Sequence, residues 1–109
     1  MKDISEEMKQ DRIEKIGNSV IQHGPFNNRI YLMKFSADDY PQIVSDIEKL
    51  AVENNYSKIF LKIPQYALGR FLRHDFHIEA FIPDYYPDKI DAVFVSKFPD
   101  PDRNSVEKE

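Results

Sequence analysis

From Asp11 onward the chain alternates apolar and polar residues in short runs, the period-two pattern of strands with one face buried in a sheet. Arg12 to Ile16 and Ser19 to His23 flank Gly17-Asn18, a pair that closes a tight hairpin because glycine accepts positive φ, so two antiparallel strands are expected. After a break at Gly24-Pro25-Phe26-Asn27-Asn28, the run Arg29 to Phe35 sets Ile30, Leu32 and Lys34 against Tyr31, Met33 and Phe35. Apolar on both faces, this third strand is expected at the centre of a sheet.

The period then changes. Tyr40, Ile43, Val44, Ile47, Leu50 and Ala51 recur at helical spacing as one apolar stripe, with Asp46, Glu48, Lys49 and Glu53 outside it. Ser36 or Asp38 is the expected cap, Asp39 suits the positive end of the helix, and Pro41 is tolerated in its first turn. Asn54-Asn55 can leave the helix through a left-handed conformation, and Lys58 to Ile63 reads as a short buried strand, so a crossover connection is expected.

Pro64 ends that strand, and Ala67, Leu68, Phe71 and Leu72 mark one face of a second, shorter helix running to about His74. Phe76 to Ile82 sets Phe76, Ile78, Ala80 and Ile82 against His77, Glu79 and Phe81. Ala92 to Phe98 sets Ala92, Phe94, Ser96 and Phe98 against Val93, Val95 and Lys97. A loop, Pro83-Asp84-Tyr85-Tyr86-Pro87-Asp88, is expected between these last two strands. Residues 1–10 read as an N-terminal arm, 11–98 as one mixed α/β domain, and 99–109 as a solvated tail or linker.

Composition narrows the function. The 109 residues are 41% hydrophobic and 13% aromatic, with 8 Phe and 6 Tyr, enough apolar material for one core. There is no Cys, which excludes disulfides, thiolate-ligated metal and a cysteine nucleophile, and fits a reducing cytoplasm. The charged start MKDISEEMKQDR is no signal peptide, and no apolar run reaches the ~18 residues of a membrane span, so a cytoplasmic protein without a membrane partner is expected. Net charge is −4, and the 15 basic residues are scattered singly, which argues against nucleic acid as a partner.

The element order β-β-β-α-β-α-β-β resembles the GNAT acetyltransferase superfamily lacking its first strand and first two helices. The text is closer to something narrower. Ile13-Glu14-Lys15-Ile16-Gly17-Asn18-Ser19-Val20-Ile21-Gln22-His23-Gly24, Asn28-Arg29-Ile30-Tyr31-Leu32-Met33-Lys34, Lys58-Ile59-Phe60-Leu61-Lys62-Ile63-Pro64 and Glu79-Ala80-Phe81-Ile82-Pro83 resemble the N-terminal region of the β-lysine N-acetyltransferases. The resemblance implies a mostly antiparallel central sheet with two main helices. It also implies acetyl-CoA-dependent N-acetylation of β-lysine in compatible-solute synthesis, with a GNAT catalytic domain as partner in cis or in trans.

GNAT proteins hold the cofactor pyrophosphate in a glycine-rich turn between a strand and a helix, where small residues let backbone N–H groups approach phosphate. The matching place is Lys34-Phe35-Ser36-Ala37-Asp38-Asp39-Tyr40, with no glycine and two acids. The resemblance also implies a tyrosine general acid in the later helix, and Phe71 falls in its place. No catalytic, cofactor-binding or metal residue is therefore assigned, and this part alone is expected to be inactive, with acetyl-CoA bound elsewhere in the implied enzyme.

Other candidates are weighed against blander readings. His23 beside Gly24, with Asn28 and Arg29 after the turn, could hold an anion at a strand end. Asp84, Tyr85 and Tyr86 could stack on a ligand or contact a partner. His74 and His77 are expected as surface histidines, because their spacing crosses from helix to strand. No serine sits in a nucleophile motif. The alternative function is a stand-alone module that binds a small amine or carboxylate, or dimerises.

Overall fold

The computed structural model describes residues 11–99. The arm 1–10 and all but the first residue of the tail 99–109 lie outside the described residues. Six strands form one sheet: β1 (Arg12–Ile16), β2 (Ser19–Gly24), β3 (Arg29–Lys34), β4 (Lys58–Pro64), β5 (His77–Tyr86) and β6 (Ile90–Lys97). Two helices, α1 (Gln42–Glu53) and α2 (Leu68–Leu72), lie between β3 and β4 and between β4 and β5. The sheet order is β1-β2-β3-β4-β6-β5, antiparallel everywhere except between β3 and β4. The expected crossover is present: α1 carries the chain from β3 to a parallel β4, as a parallel pair requires.

The core lies on one face of this sheet. Ile21, Ile30, Leu32, Ile59, Leu61, Ile63, Val93 and Val95 point to it, and Ile43, Val44, Ile47 and Ala51 of α1 cover it with Phe71 of α2. These are the positions that the alternation and the helical stripe select. Asn55, at φ 56°, turns the chain out of α1 as expected. Lys97 crosses the same face, pairing with Glu48 of α1 and donating to the His74 carbonyl at 2.9 Å. The opposite face carries Tyr31, Phe60 and Phe94, with Phe60 stacked on Phe94 at 5.1 Å and tilted on Tyr31 at 5.5 Å.

Four expectations need correction. Neither Ser36 nor Asp38 caps α1, which begins at Gln42 behind Pro41 after a 3₁₀ turn over Ala37–Asp39. The 3₁₀ turn stands between both residues and the helix, and it is held to the β1–β2 hairpin by the Ser36 N–H on the Ser19 hydroxyl and by the Asp39 carboxylate. The second helix is shorter than expected, ending at Leu72 rather than His74. The loop expected from Pro83 onward is strand through Tyr86, because β5 is an edge strand where proline withholds no needed N–H. Register shifts in β5 also break its alternation, so that Ile78 and Phe81 oppose the core residues Val95 and Val93 while Ala80 opposes Phe94.

Candidate functional site

The β3–β4 ladder runs from Arg29 and Lys58 to Leu32 and Leu61 and stops there, although both strands continue. Past that point a cleft of about 670 Å³ opens between Met33, Lys34 and Phe35 on one side and Lys62, Pro64 and Tyr66 on the other. Tyr85 and Tyr86 at the end of β5, Pro87 and Asp88 of the connection and Ile90 at the start of β6 close a third wall. A register shift between β2 and β3 leaves Met33 outside the ladder, a local irregularity of the kind that re-aims a side chain beside a site.

Lys62 is the polar centre of this cleft. Its ammonium donates to the Tyr85 hydroxyl at 2.7 Å and lies 4.7 Å from the centre of that ring. Desolvation, the largest influence on it, disfavours the charged form. The Tyr85 hydrogen bond and the phenol oxygens of Tyr31, Tyr85 and Tyr86 outweigh that influence and raise its pKa. Burial raises the Tyr86 pKa above its ordinary value, keeping it a phenol at neutral pH. Among the described residues, neither Lys62 nor Lys34 forms an ion pair; the three pairs are His23–Glu14, Lys58–Glu79 and Lys97–Glu48.

The remaining candidates fall elsewhere. Asp84, at φ 55°, donates its N–H to the Asp91 carboxylate at 2.9 Å and lies at the register shift in β5 beside the cleft without lining it. His23, Asn28 and Arg29 sit at the opposite end of β3 from the cleft. His23 is buried, with Nδ1 2.8 Å from the Tyr56 hydroxyl and Nε2 on Glu14. The Asn28 carbonyl accepts from the N–H and hydroxyl of Ser57 at 3.0 and 3.1 Å, and Arg29 lies over the rings of Tyr31 and Phe60. Of the three, His23 has both ring nitrogens engaged within the fold. His74 meets the Tyr40 hydroxyl at 3.2 Å, and no group of three or more metal-ligating side chains occurs among the described residues.

Lys62 and Tyr66 were not singled out by the sequence. Lys62 stands between Leu61 and Ile63 in a buried strand, and a cation at such a place was the available signal. What the text alone did not reveal is that the β4–β6 pairing, with Lys62 opposite Phe94, brings it beside Tyr85.

The turn between β3 and α1 does not fit a pyrophosphate. Its N–H groups are largely spent within the fold: Ser36 on the Ser19 hydroxyl at 2.9 Å, Asp39 on the Ser36 carbonyl at 3.0 Å, Tyr40 on the Ala37 carbonyl at 3.2 Å. Pro41 has no N–H, and Asp38 and Asp39 add two negative charges to the turn. Phe71, in the place of the implied acid, is fully buried against Phe35, Tyr40 and Phe76.

No family model matches the chain. It is 31% identical over 88 residues to the β-lysine N(6)-acetyltransferase of Methanococcus maripaludis, a match covering 81% of this chain and 31% of that protein. The chain thus spans less than a third of the length of this relative. The ribosomal-protein-S18-alanine N-acetyltransferase from Escherichia coli superposes with a TM-score of 0.58 at 12% identity, covering 79% of this chain and 65% of that one. The yncA protein from Salmonella typhimurium, solved with its cofactor acetyl-CoA, gives 0.53 at 15% identity, covering 76% and 58%. At these identities the structural matches establish the fold.

Proposed function

We propose that this chain, a GNAT-like region by its fold and by its match to the β-lysine enzyme, is the noncatalytic part of an acetyl-CoA-dependent β-lysine N-acetyltransferase. The observation that carries the noncatalytic reading is the β3–α1 turn, whose N–H groups are tied to Ser19, Ser36 and Ala37 and whose acids would repel a pyrophosphate. The acceptor and product then follow from the relative: an amine of β-lysine attacks the thioester, with base and cofactor cradle supplied by protein beyond this region. This region lends shape to the assembled enzyme. A compatible-solute role in the cytoplasm belongs to the same reading, as does a GNAT catalytic domain in cis or in trans. The described residues contain no helix long and apolar enough to cross a membrane.

The test is an assay of thiol release from acetyl-CoA in the presence of β-lysine. The chain alone is expected to give no release above the uncatalysed rate. Turnover by the chain alone would overturn the noncatalytic reading.

A further inference from the structure

The sheet has one face that neither helix covers. Both helices lie on the side of Ile21, Leu32, Ile59 and Val95, and an antiparallel sheet left open on its other side ordinarily turns polar residues there. Here the strand pairing sets Ile13, Gln22, Tyr31, Phe60 and Ser96 in one row across the open face. Phe60 also stacks on Phe94, so half-buried rings stand on the adjacent strands β3, β4 and β6. That band is about as wide as one α-helix. Phe98, 65% exposed, extends it past the end of β6, where Lys58 lies over both Phe60 and Phe98.

The charges on this face run against those of the chain, whose net charge is −4. Lys58 is paired with Glu79 at 3.0 Å, but among the described residues neither Arg29 nor Lys15, two positions from Ile13 on the same face, forms an ion pair. A second copy of the chain would bring the same unpaired cations to a positive face. A single-stranded nucleic acid needs ring faces open to its bases, whereas Phe94, Arg29 and Lys58 already lie against the ring of Phe60. An apolar segment bordered by carboxylates answers both the rings and the cations.

We propose that this open face is the surface on which the catalytic partner docks, seating one amphipathic helix with its apolar side on Tyr31, Phe60 and Phe94 and its acidic border toward Arg29 and Lys15. Aromatic side chains and arginine are the residue types enriched at such contacts. Docking of this kind presupposes the role proposed for the region within a larger enzyme, and the relative it matches is more than three times the length of the matched segment.

The experiment is a titration of the labelled chain, followed by amide chemical shifts at constant, low ionic strength. The probes are a synthetic helical peptide whose leucine face is bordered by glutamates, the same peptide with lysines for the glutamates, and oligouridylate. The acidic peptide is expected to shift the amides of Tyr31, Phe60 and Phe94 saturably and to leave those of α1 in place, and the other two probes are expected to move neither set. Arg29→Gln should weaken the acidic peptide severalfold and Phe60→Thr at least about tenfold. Should Phe60→Thr fail to fold, Arg29→Gln decides alone. Equal binding of the basic peptide, saturable binding of oligouridylate at these amides, movement of the same amides on concentrating the chain alone, no saturable shift with the acidic peptide, or unchanged affinity in Arg29→Gln would overturn the proposal. Thiol release by the chain alone, by contrast, overturns the noncatalytic role and leaves the peptide result standing, so the two failures are distinguishable.

Discussion

At the scale of single residues, Asp39 ties the β1–β2 turn to the segment that leads into α1. Its carboxylate accepts from the Asn18 N–H at 2.9 Å and the Ser19 hydroxyl at 2.6 Å, and Ser19 is fully buried. Asp39→Ala leaves these donors without their acceptor, and an expected loss of about 2 kcal/mol should appear as a lower urea midpoint at unchanged slope. Glu79 makes a different prediction. Its hydrogen bond from Ser96, then that from Lys58, hold its pKa below the ordinary 4.5. A depressed carboxylate contributes stability that is present above its unfolded value and is lost as pH falls through the folded one. Urea midpoints measured downward from pH 5 should therefore fall less steeply in Glu79→Gln than in the parent chain. Neither role was legible in the sequence, where Asp39 reads as a helix-dipole acid and Glu79 as an alternating strand residue, because both depend on partners 17 or more positions away.

At the scale of elements, the β1–β2 hairpin and the approach to α1 form one unit. Gly17 sits at φ +61°, and a Cβ there would run into the Asp39 carboxylate. Gly17→Ala thus carries a left-handed backbone penalty of about 1 kcal/mol and the loss of the Asp39 contact as well. Placed in an Asp39→Ala background, the same substitution should cost only the backbone part, so thermal or urea unfolding of the double variant should show less than the sum of the two single losses. Additive losses would mean that turn and carboxylate are independent. Gly17-Asn18 announced the hairpin plainly, and the stripe through Ile43, Val44, Ile47 and Ala51 announced α1, since local pattern determines both. The start of α1 and the extent of β5 were not legible, because a 3₁₀ turn tied to the distant β1–β2 hairpin delays the helix and the edge position of β5 makes Pro83 harmless.

At the scale of the whole molecule, a mostly antiparallel sheet with one parallel pair creates the cleft. The succession of strands and helices was legible in the sequence, whereas the sheet order β1-β2-β3-β4-β6-β5, with β6 between β4 and β5, is a matter of pairing. The cleft depends on where the β3–β4 ladder ends, a property of paired strands that no single run of residues encodes. Tyr85 and Tyr86, which the sequence singles out, form one of its walls, whereas His23 and Arg29 lie at the far end of β3. The central claim is that this GNAT-like region holds no acetyl-CoA of its own. Titration calorimetry of the chain with acetyl-CoA at near-physiological salt tests it directly: the account predicts no heat beyond dilution, and saturable one-to-one binding would contradict it.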